Sequence, residues 1–176
     1  MCLSHSTISL PEPVRAMMAH MDIRSGIEFA AGVEEVFTMM TDRAYLEEVC
    51  KATHARSYDA TVTGTTTQTT RKLPAPAAAA KFTGSELTVV EKIDWGPADA
   101  AGNRTGRVAM SVSGQPVTMQ GTVVLSAGGR GTVGELTGVL KVAIPILGKK
   151  LEQAAAPAIL AGFRTQQKVG DAWLAK

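Results

Sequence analysis

Glu91 is the residue of this 176-residue chain that is best placed for acid–base chemistry. It shares the alternating phase of Leu87, Val89, Ile93 and Trp95, so it is expected on the same face of a strand as four apolar side chains. A carboxylate on such a face can transfer a proton as a general acid or hydrogen-bond a ligand hydroxyl. A bulge that turns it to solvent, or an ion pair with a basic neighbour, would leave it without a chemical role. Glu91 is therefore a weak catalytic candidate.

Other patterns that often indicate catalysis or metal binding lack the partner residues or the local structure that this chemistry requires. His54 is the single histidine of the folded part, and one histidine forms neither a catalytic triad nor a metal site. A Gly-x-Gly-x-x-Gly match at residues 129–134 lies on a predicted hairpin turn, without the helix N-terminus that binds phosphate. Cys2 and Cys50 lack the spacing of a metal site or a disulfide framework. We therefore predict no metal and no cofactor.

Length, composition and charge favour a single domain. Charged residues make up 19% of the chain and its net charge is +2, which is too small and too dispersed to favour a nucleic-acid partner. No apolar run approaches the ~18 residues of a membrane-spanning helix. The first residues also lack the basic start and apolar run of a signal peptide. We expect a cytoplasmic monomer or weak dimer without stable membrane insertion.

The first twenty residues are expected to lie outside the domain. Residues 1–20 contain Ser and Pro without periodicity, which predicts a disordered tail. Met21 stands directly before the first strand pattern, so this segment is alternatively a mis-called start. The folded domain is predicted over residues 21–176.

The spacing of apolar residues changes twice along this domain. Residues 22–29 alternate and predict a half-buried strand. Residues 33–40 have helical spacing behind two glutamates, and Asp42 is a suitable N-cap for a second short helix. After His54 a period of two returns, interrupted by a Pro- and Ala-rich connection at residues 74–80. The strands predicted from this period cover residues 58–63, 65–73, 87–95, 107–112, 117–127 and 132–142.

Residues 149–174 predict one long amphipathic helix with an unusual middle. Its apolar stripe is bulky at both ends but carries only Ala155, Ala158 and Gly162 between them. Pro157 removes one backbone hydrogen bond and should bend the helix there. Small residues either let a helix approach a sheet closely or leave room for a ligand. The polar side of this helix is predicted to contain Glu152, Gln153, Arg164, Gln167, Lys168 and Asp171.

This order of elements predicts an α+β fold. The strands follow one another as an antiparallel meander, and the helices are separate from them. The last helix is the only predicted element long enough to cover the apolar face of the sheet. We therefore expect a curved antiparallel sheet of about six or seven strands wrapped around that helix.

The same order resembles the START-like superfamily, also called SRPBCC or helix-grip. The resemblance is carried by IEFAAGVEEVFTMMTDRAYLEE at residues 27–48, VAIPILGKKLEQAAAPAIL at residues 142–160 and the final GDAWLAK. The later segments resemble a bacterial branch known only as a domain of unknown function. The resemblance implies a deep cavity between the curved sheet and the C-terminal helix, which relatives use for lipids, sterols, polyketides, plant hormones or quinones. Some relatives are cyclases, but no catalytic set is shared across the superfamily.

The strand phases and the helix centre supply candidates for the lining of such a cavity. Periodic apolar residues are more often simply core, and that alternative applies to each candidate singly. Methionines among them would give an adaptable surface, and aromatic side chains could close the ends. The predicted lining residues are Phe37, Met40, Tyr58, Phe82, Val89, Glu91, Trp95, Met110, Met119, Ala155, Ala158, Ile159, Gly162 and Phe163.

These features favour a binding protein over an enzyme. We expect a hydrophobic small molecule, lipid-like or polyketide-like, bound for transport or sequestration. The first alternative is an aromatase or cyclase in which Glu91, with Tyr58 if its hydroxyl points inward, transfers protons. The second is a protein-interaction module, which would have a filled core and an exposed apolar patch. A core without a void of at least ~300 Å³ would exclude both pocket hypotheses.

Overall fold

The computed structural model describes residues 20–176, so nearly all of the predicted N-terminal tail lies outside the described residues. All seven strands and three of the four helices in these residues follow one another in the predicted order, and the fourth helix is a single turn that the sequence analysis did not predict. The strands are β1 (Met21–Phe29), β2 (Ser57–Thr63), β3 (Thr66–Pro74), β4 (Glu86–Trp95), β5 (Arg104–Val112), β6 (Val117–Gly128) and β7 (Gly131–Val142). The helices are α1 (Val33–Met40), α2 (Arg43–Ala52), α3 (Ala80–Thr83) and α4 (Gly148–Leu174).

The strands form one antiparallel sheet in the order β1-β7-β6-β5-β4-β3-β2. Every strand from β2 to β7 pairs with its neighbour in sequence, and β1 closes the other edge against β7. The sheet curves around the long C-terminal helix, which confirms the predicted helix-grip fold. Gly121 and Gly138 face each other across β6 and β7, where a Cβ at Gly121 would collide with the Thr137 carbonyl. Paired glycines let the two backbones bend closely at this point.

The alternation predicted for the strands matches the observed burial. In β1, Ile23, Ile27 and Phe29 are buried, while the residues between them are half-buried or exposed. The concave face collects such residues from β5, β6 and β7 into a core that also includes α1 and α2. The core members contributed by those three strands are Val108, Met110, Val112, Met119, Val123, Leu125, Leu136 and Leu140.

The two short helices after β1 begin where the sequence predicts them. The Asp42 carboxylate accepts hydrogen bonds from the Ala44 and Tyr45 amides, at 2.7 and 3.4 Å, which confirms Asp42 as the N-cap of α2. Tyr45 connects α2 to α4. Its buried hydroxyl donates to the Gln166 carbonyl at 3.0 Å, and its ring lies edge-on to Trp173 at 5.9 Å. Burial raises the pKa of Tyr45, so the hydroxyl remains a donor at neutral pH.

The prediction that Glu152 lies on the polar side of α4 is wrong, because the residue is buried. Its side chain is only 1% exposed, and its carboxylate accepts a hydrogen bond from the Val142 amide at 2.9 Å. The first turns of α4 lie against the end of β7, so this position faces protein rather than solvent. Glu152 therefore fixes the start of α4 to the last residue of the sheet.

Polar contacts also join the second half of α4 to β1. The Gln167 side-chain oxygen accepts from the Glu28 amide at 3.1 Å, and the Arg130 guanidinium donates to the Glu28 carbonyl at 2.7 Å. Arg130 also pairs with Asp171 of α4 at 3.0 Å. The helix is therefore held at both ends, while its middle has contacts of a different kind, described below.

Replacing glycine by alanine should have opposite effects on stability at two positions of α4. A Cβ at Gly162 would meet nothing within 4 Å, so Gly162→Ala should stabilise the fold by about 0.5–1 kcal/mol through helix propensity. A Cβ at Gly170 would collide with the buried Phe29 ring and approach Met39 at 3.1 Å. Gly170→Ala should therefore destabilise by about 1–3 kcal/mol. Urea unfolding of both variants measures this, and equal effects at the two sites would contradict the packing described here.

None of the helices in residues 20–176 combines the length and the apolar character needed to cross a membrane. Within the same residues, no three His, Cys, Asp or Glu side chains are grouped in a way that could hold a metal ion.

Candidate functional site

A cavity of about 430 Å³ lies between the concave face of the sheet and the middle of α4. Its volume falls within the range of ordinary ligand sites, about 300–1,000 Å³. The helix packs mainly against β1, β7 and α2, so it leaves the concave side of β3 to β5 uncovered. The wall is mostly apolar, and the strands supply Leu73, Leu87, Val89, Met110, Val112, Val117, Leu140 and Val142.

The small residues in the middle of α4 explain why this space stays open. Ala155, Ala158 and Gly162 all lie on the cavity wall. The open space around a Cβ at Gly162 shows that no protein atom occupies the volume beside it. Larger residues, Ile159 and Phe163, lie on the same wall and are only partly buried. The helix centre therefore borders a void instead of packing closely on the sheet.

The cavity wall contains eight of the predicted lining residues: Val89, Glu91, Met110, Ala155, Ala158, Ile159, Gly162 and Phe163. These eight residues come from β4, β5 and α4, and further wall residues come from β3, β6 and β7.

Four further predicted residues lie outside the wall of the main cavity, and two of them, Met40 and Trp95, line a smaller pocket described below. Met119 is fully buried in the core, and Met40 is the buried last residue of α1. The Phe37 and Trp95 rings are nearly perpendicular, with 5.8 Å between ring centroids, and the Arg104 guanidinium lies 4.0 Å from the centre of the Phe37 ring. All four residues belong to the packed core or contact it, and they do not line the main cavity.

Tyr58 and Phe82 are at the surface. Tyr58 lies on β2, the edge strand, and is 37% exposed. Phe82 belongs to the four-residue helix α3 and is 49% exposed. An edge strand and a short connecting helix have few neighbours to bury a large ring. Neither side chain lies on the wall of the cavity.

Glu91 lies on the cavity wall as part of a buried ion pair. Its carboxylate contacts the Arg71 guanidinium at 2.8 Å, and the two side chains are 13% and 8% exposed. Arg71 comes from β3, where its strand phase places it on the concave face beside Thr69 and Thr67. The sequence left open whether Glu91 forms an ion pair with a basic neighbour. The structure shows this ion pair, and its basic member, Arg71, is itself buried. The sequence analysis did not identify Arg71 as a site residue. The signal that could have identified it is its alternation with Thr67 and Thr69 in the sequence of β3.

A second, smaller pocket of about 30 Å³ opens next to this ion pair. Arg71, Glu91 and Gln166 lie on the walls of both the small pocket and the main cavity. Its remaining wall combines Thr67, Thr69, Cys50 and Tyr45 with the apolar side chains of Met40, Leu46, Val49, Ile93 and Trp95. The site thus consists of a large apolar cavity with a small, more polar end.

A family model described as protein of unknown function (DUF2505) matches residues 25–174. This match covers most of the chain and nearly all of the fold described above. The chain belongs to the DUF2505 family. Its fold is the helix-grip fold that the resemblance found in the sequence implies.

Solved structures of other proteins share the fold of this DUF2505 chain. TTHA0849 from Thermus thermophilus has a TM-score of 0.61 at 19% identity, over 86% of this chain and 98% of that one. A STAR-related lipid transfer protein from Xanthomonas axonopodis has a TM-score of 0.56 at 15% identity, over 87% and 85% of the two chains. The di-domain ARO/CYC StfQ from the steffimycin biosynthetic pathway has a TM-score of 0.59 at 14% identity; 87% of this chain aligns with 50% of StfQ. Among curated proteins, comparison by sequence found no match.

Cys50, on the wall of the small pocket of this DUF2505 protein, is expected to be unreactive. It is fully buried, and burial raises the pKa of its thiol from 9.0 to about 11. Because the thiolate is the reactive form, this shift alone should slow alkylation at pH 8 by about 100-fold. Labelling of a Cys2→Ser variant with a thiol reagent, with and without urea, measures the rate. Rapid labelling of the folded protein would contradict the closed position of Cys50.

Proposed function

We propose that this DUF2505 protein binds a hydrophobic small molecule, lipid-like or polyketide-like, between the sheet and α4. The single observation that carries the proposal is the cavity of about 430 Å³ with a mostly apolar wall. An empty apolar cavity of this size costs a protein stability, since its lining atoms lack contacts that a close-packed core would provide. A ligand that fills the cavity would restore those contacts.

Burial of apolar surface would supply most of the affinity. Each methylene group of a ligand that leaves water contributes about 0.8 kcal/mol. Val89, Met110, Ile159 and Phe163 are proposed as the apolar contacts, with Ala155, Ala158 and Gly162 leaving the space that the ligand occupies. Methionine in the wall suits ligands of varying shape. Transport or sequestration are the roles that such binding would serve.

The fold comparison supports this proposal at the level of ligand class. One protein with the same fold is described as a lipid transfer protein and another as an ARO/CYC of a biosynthetic pathway. Both descriptions fit a fold that encloses hydrophobic molecules. The void also weighs against a protein-interaction module with a filled core.

A cyclase or aromatase reaction remains the second candidate, and Glu91 on the cavity wall is the observation that favours it. The Arg71 guanidinium at 2.8 Å holds that carboxylate, and Tyr58, the suggested second proton donor, does not line the cavity. Ligand binding without proton transfer therefore has the stronger support. Binding also requires no residue beyond those on the wall.

Native mass spectrometry of the protein purified from its own host tests the proposal. A reproducible additional mass that organic solvent releases would support binding and identify the ligand class. The same protein refolded from denaturant serves as the ligand-free control. If the native and refolded proteins have identical masses, and neither takes up fatty acids, fatty esters or aromatic polyketides, the proposal fails.

A further inference from the structure

Three polar side-chain atoms in residues 20–176 are buried without a hydrogen-bond partner: Thr69 Oγ1, Arg71 Nε and Trp95 Nε1. Each residue is more than nine-tenths buried, with 7%, 6% and 5% of its surface exposed. All three residues lie on the wall of the small pocket at the polar end of the cavity. Buried polar groups in folded proteins are nearly always paired, so three orphans around one pocket indicate a missing partner.

The chemistry of these three groups defines what that partner must offer. Arg71 Nε–H and Trp95 Nε1–H are donors only, and the Thr69 hydroxyl can donate as well. The partner must therefore be a hydrogen-bond acceptor. The pocket volume of about 30 Å³ suits a small group, because one water needs about 10–15 Å³ measured in the same way. A single oxygen-bearing group fits this space, whereas a large headgroup does not.

The charges around the pocket indicate that the acceptor is uncharged. Arg71 would attract an anion, but its guanidinium already contacts the Glu91 carboxylate at 2.8 Å. The pair leaves no excess positive charge for a second carboxylate. An anion here would also lie next to Glu91, and like charges in a buried site repel strongly.

We propose that the small pocket binds the polar end of the ligand, and that this end is an uncharged oxygen acceptor such as an ester or ketone carbonyl. This inference rests on the proposed function, since the apolar part of the same molecule would occupy the main cavity. Thr69, Arg71 and Trp95 supply the hydrogen-bond donors of this pocket, and Glu91 excludes carboxylates. The ligand class is therefore a neutral amphipathic molecule and not a free fatty acid.

The test compares methyl laurate, laurate and dodecane as competitors of a fluorescent apolar dye bound to the ligand-free protein. Thr69→Val removes one donor and keeps the side-chain shape. Thr69→Val should lower the affinity for methyl laurate by about tenfold, which corresponds to the loss of one buried hydrogen bond. The affinity for dodecane should be unchanged. Comparing each probe between two proteins cancels the differences in hydration among the probes. Thr69→Ser, which retains the hydroxyl, should bind methyl laurate as the original protein does.

Two further variants make the outcome specific. Thr70→Val, the neighbouring threonine of β3 on the opposite face of the sheet, is the matched control and should change no affinity. Glu91→Gln removes the negative charge while it keeps an acceptor for Arg71. It should raise the affinity for laurate by about tenfold. The melting temperature of Thr69→Val should not fall, because the hydroxyl that it loses has no partner.

Each contrary result overturns a defined claim. The neutral subsite would be overturned if Thr69→Val lost equal affinity for methyl laurate and dodecane. It would also be overturned if the original protein bound laurate most tightly of the three probes. Either result would leave the proposal of an apolar cavity intact. A lower melting temperature of Thr69→Val would show that the hydroxyl already has a partner, which also overturns it. Failure of all three probes and of the dye to bind would refute the proposed function itself.

Discussion

Gly162→Leu should weaken ligand binding by more than about tenfold without unfolding the protein. A Cβ at Gly162 has open space around it, and the residue lies on the cavity wall, so the added side chain would extend into the void. Displacing two ligand methylenes costs about 1.6 kcal/mol, at 0.8 kcal/mol each, and lowers affinity by more than about tenfold. Folding should not suffer, because leucine is a better helix former than glycine and meets no packed atoms.

Dye displacement and thermal unfolding of Gly162→Leu separate binding from stability. Ala172→Leu is the matched control, since Ala172 is exposed on the same helix and lies outside the cavity wall. It should bind as the original protein does. If Gly162→Leu instead lost about 1–3 kcal/mol of stability, the penalty of overpacking, the helix centre would be closely packed and no void would exist there.

Arg71→Met should destabilise the fold by about 3–5 kcal/mol. The substitution leaves the Glu91 carboxylate buried without its cation, and an unpaired buried charge is far more costly than the loss of an attraction. Because small domains are stable by only about 5–15 kcal/mol, this is a large part of the total. Urea unfolding at neutral pH measures the loss directly.

A double variant distinguishes the buried charge from lost packing. Arg71→Met with Glu91→Leu should recover most of the stability, since an apolar pair of similar volume often replaces a buried ion pair without loss. Lys92→Met breaks the Lys92–Asp94 pair on the other face of β4, where the side chains are 45% and 35% exposed. This surface control should cost far less stability than Arg71→Met, because exposed ion pairs contribute little. Equal losses in Arg71→Met and Lys92→Met would mean that the Arg71–Glu91 pair is open to water.

The fold was largely predictable because each element has a local signal. Alternation in residues 22–29 predicted β1, and the Asp42 cap predicted the start of α2. The bare centre of α4 indicated a void, and the helix borders a cavity of about 430 Å³. Such signals depend on residues close in sequence, so period and capping identify them without knowledge of the tertiary structure.

The polar part of the site was not predictable in the same way. Arg71 lies in a threonine-rich strand, and its burial depends on Glu91, twenty residues away in sequence and adjacent only in the sheet. Glu152 was predicted on the polar side of α4 because helical winding alone does not show that β7 ends beside it. Both cases require long-range contacts, which override the usual preference of charged residues for the surface.

The contacts at Glu28 also occupy part of one edge of the sheet. β1 forms one edge of the open sheet, and an edge strand with free amide and carbonyl groups is a template to which another chain can add a strand. At Glu28 both groups are already taken, the amide by Gln167 and the carbonyl by Arg130. The contacts that hold α4 in place therefore also protect this edge against aggregation by strand addition.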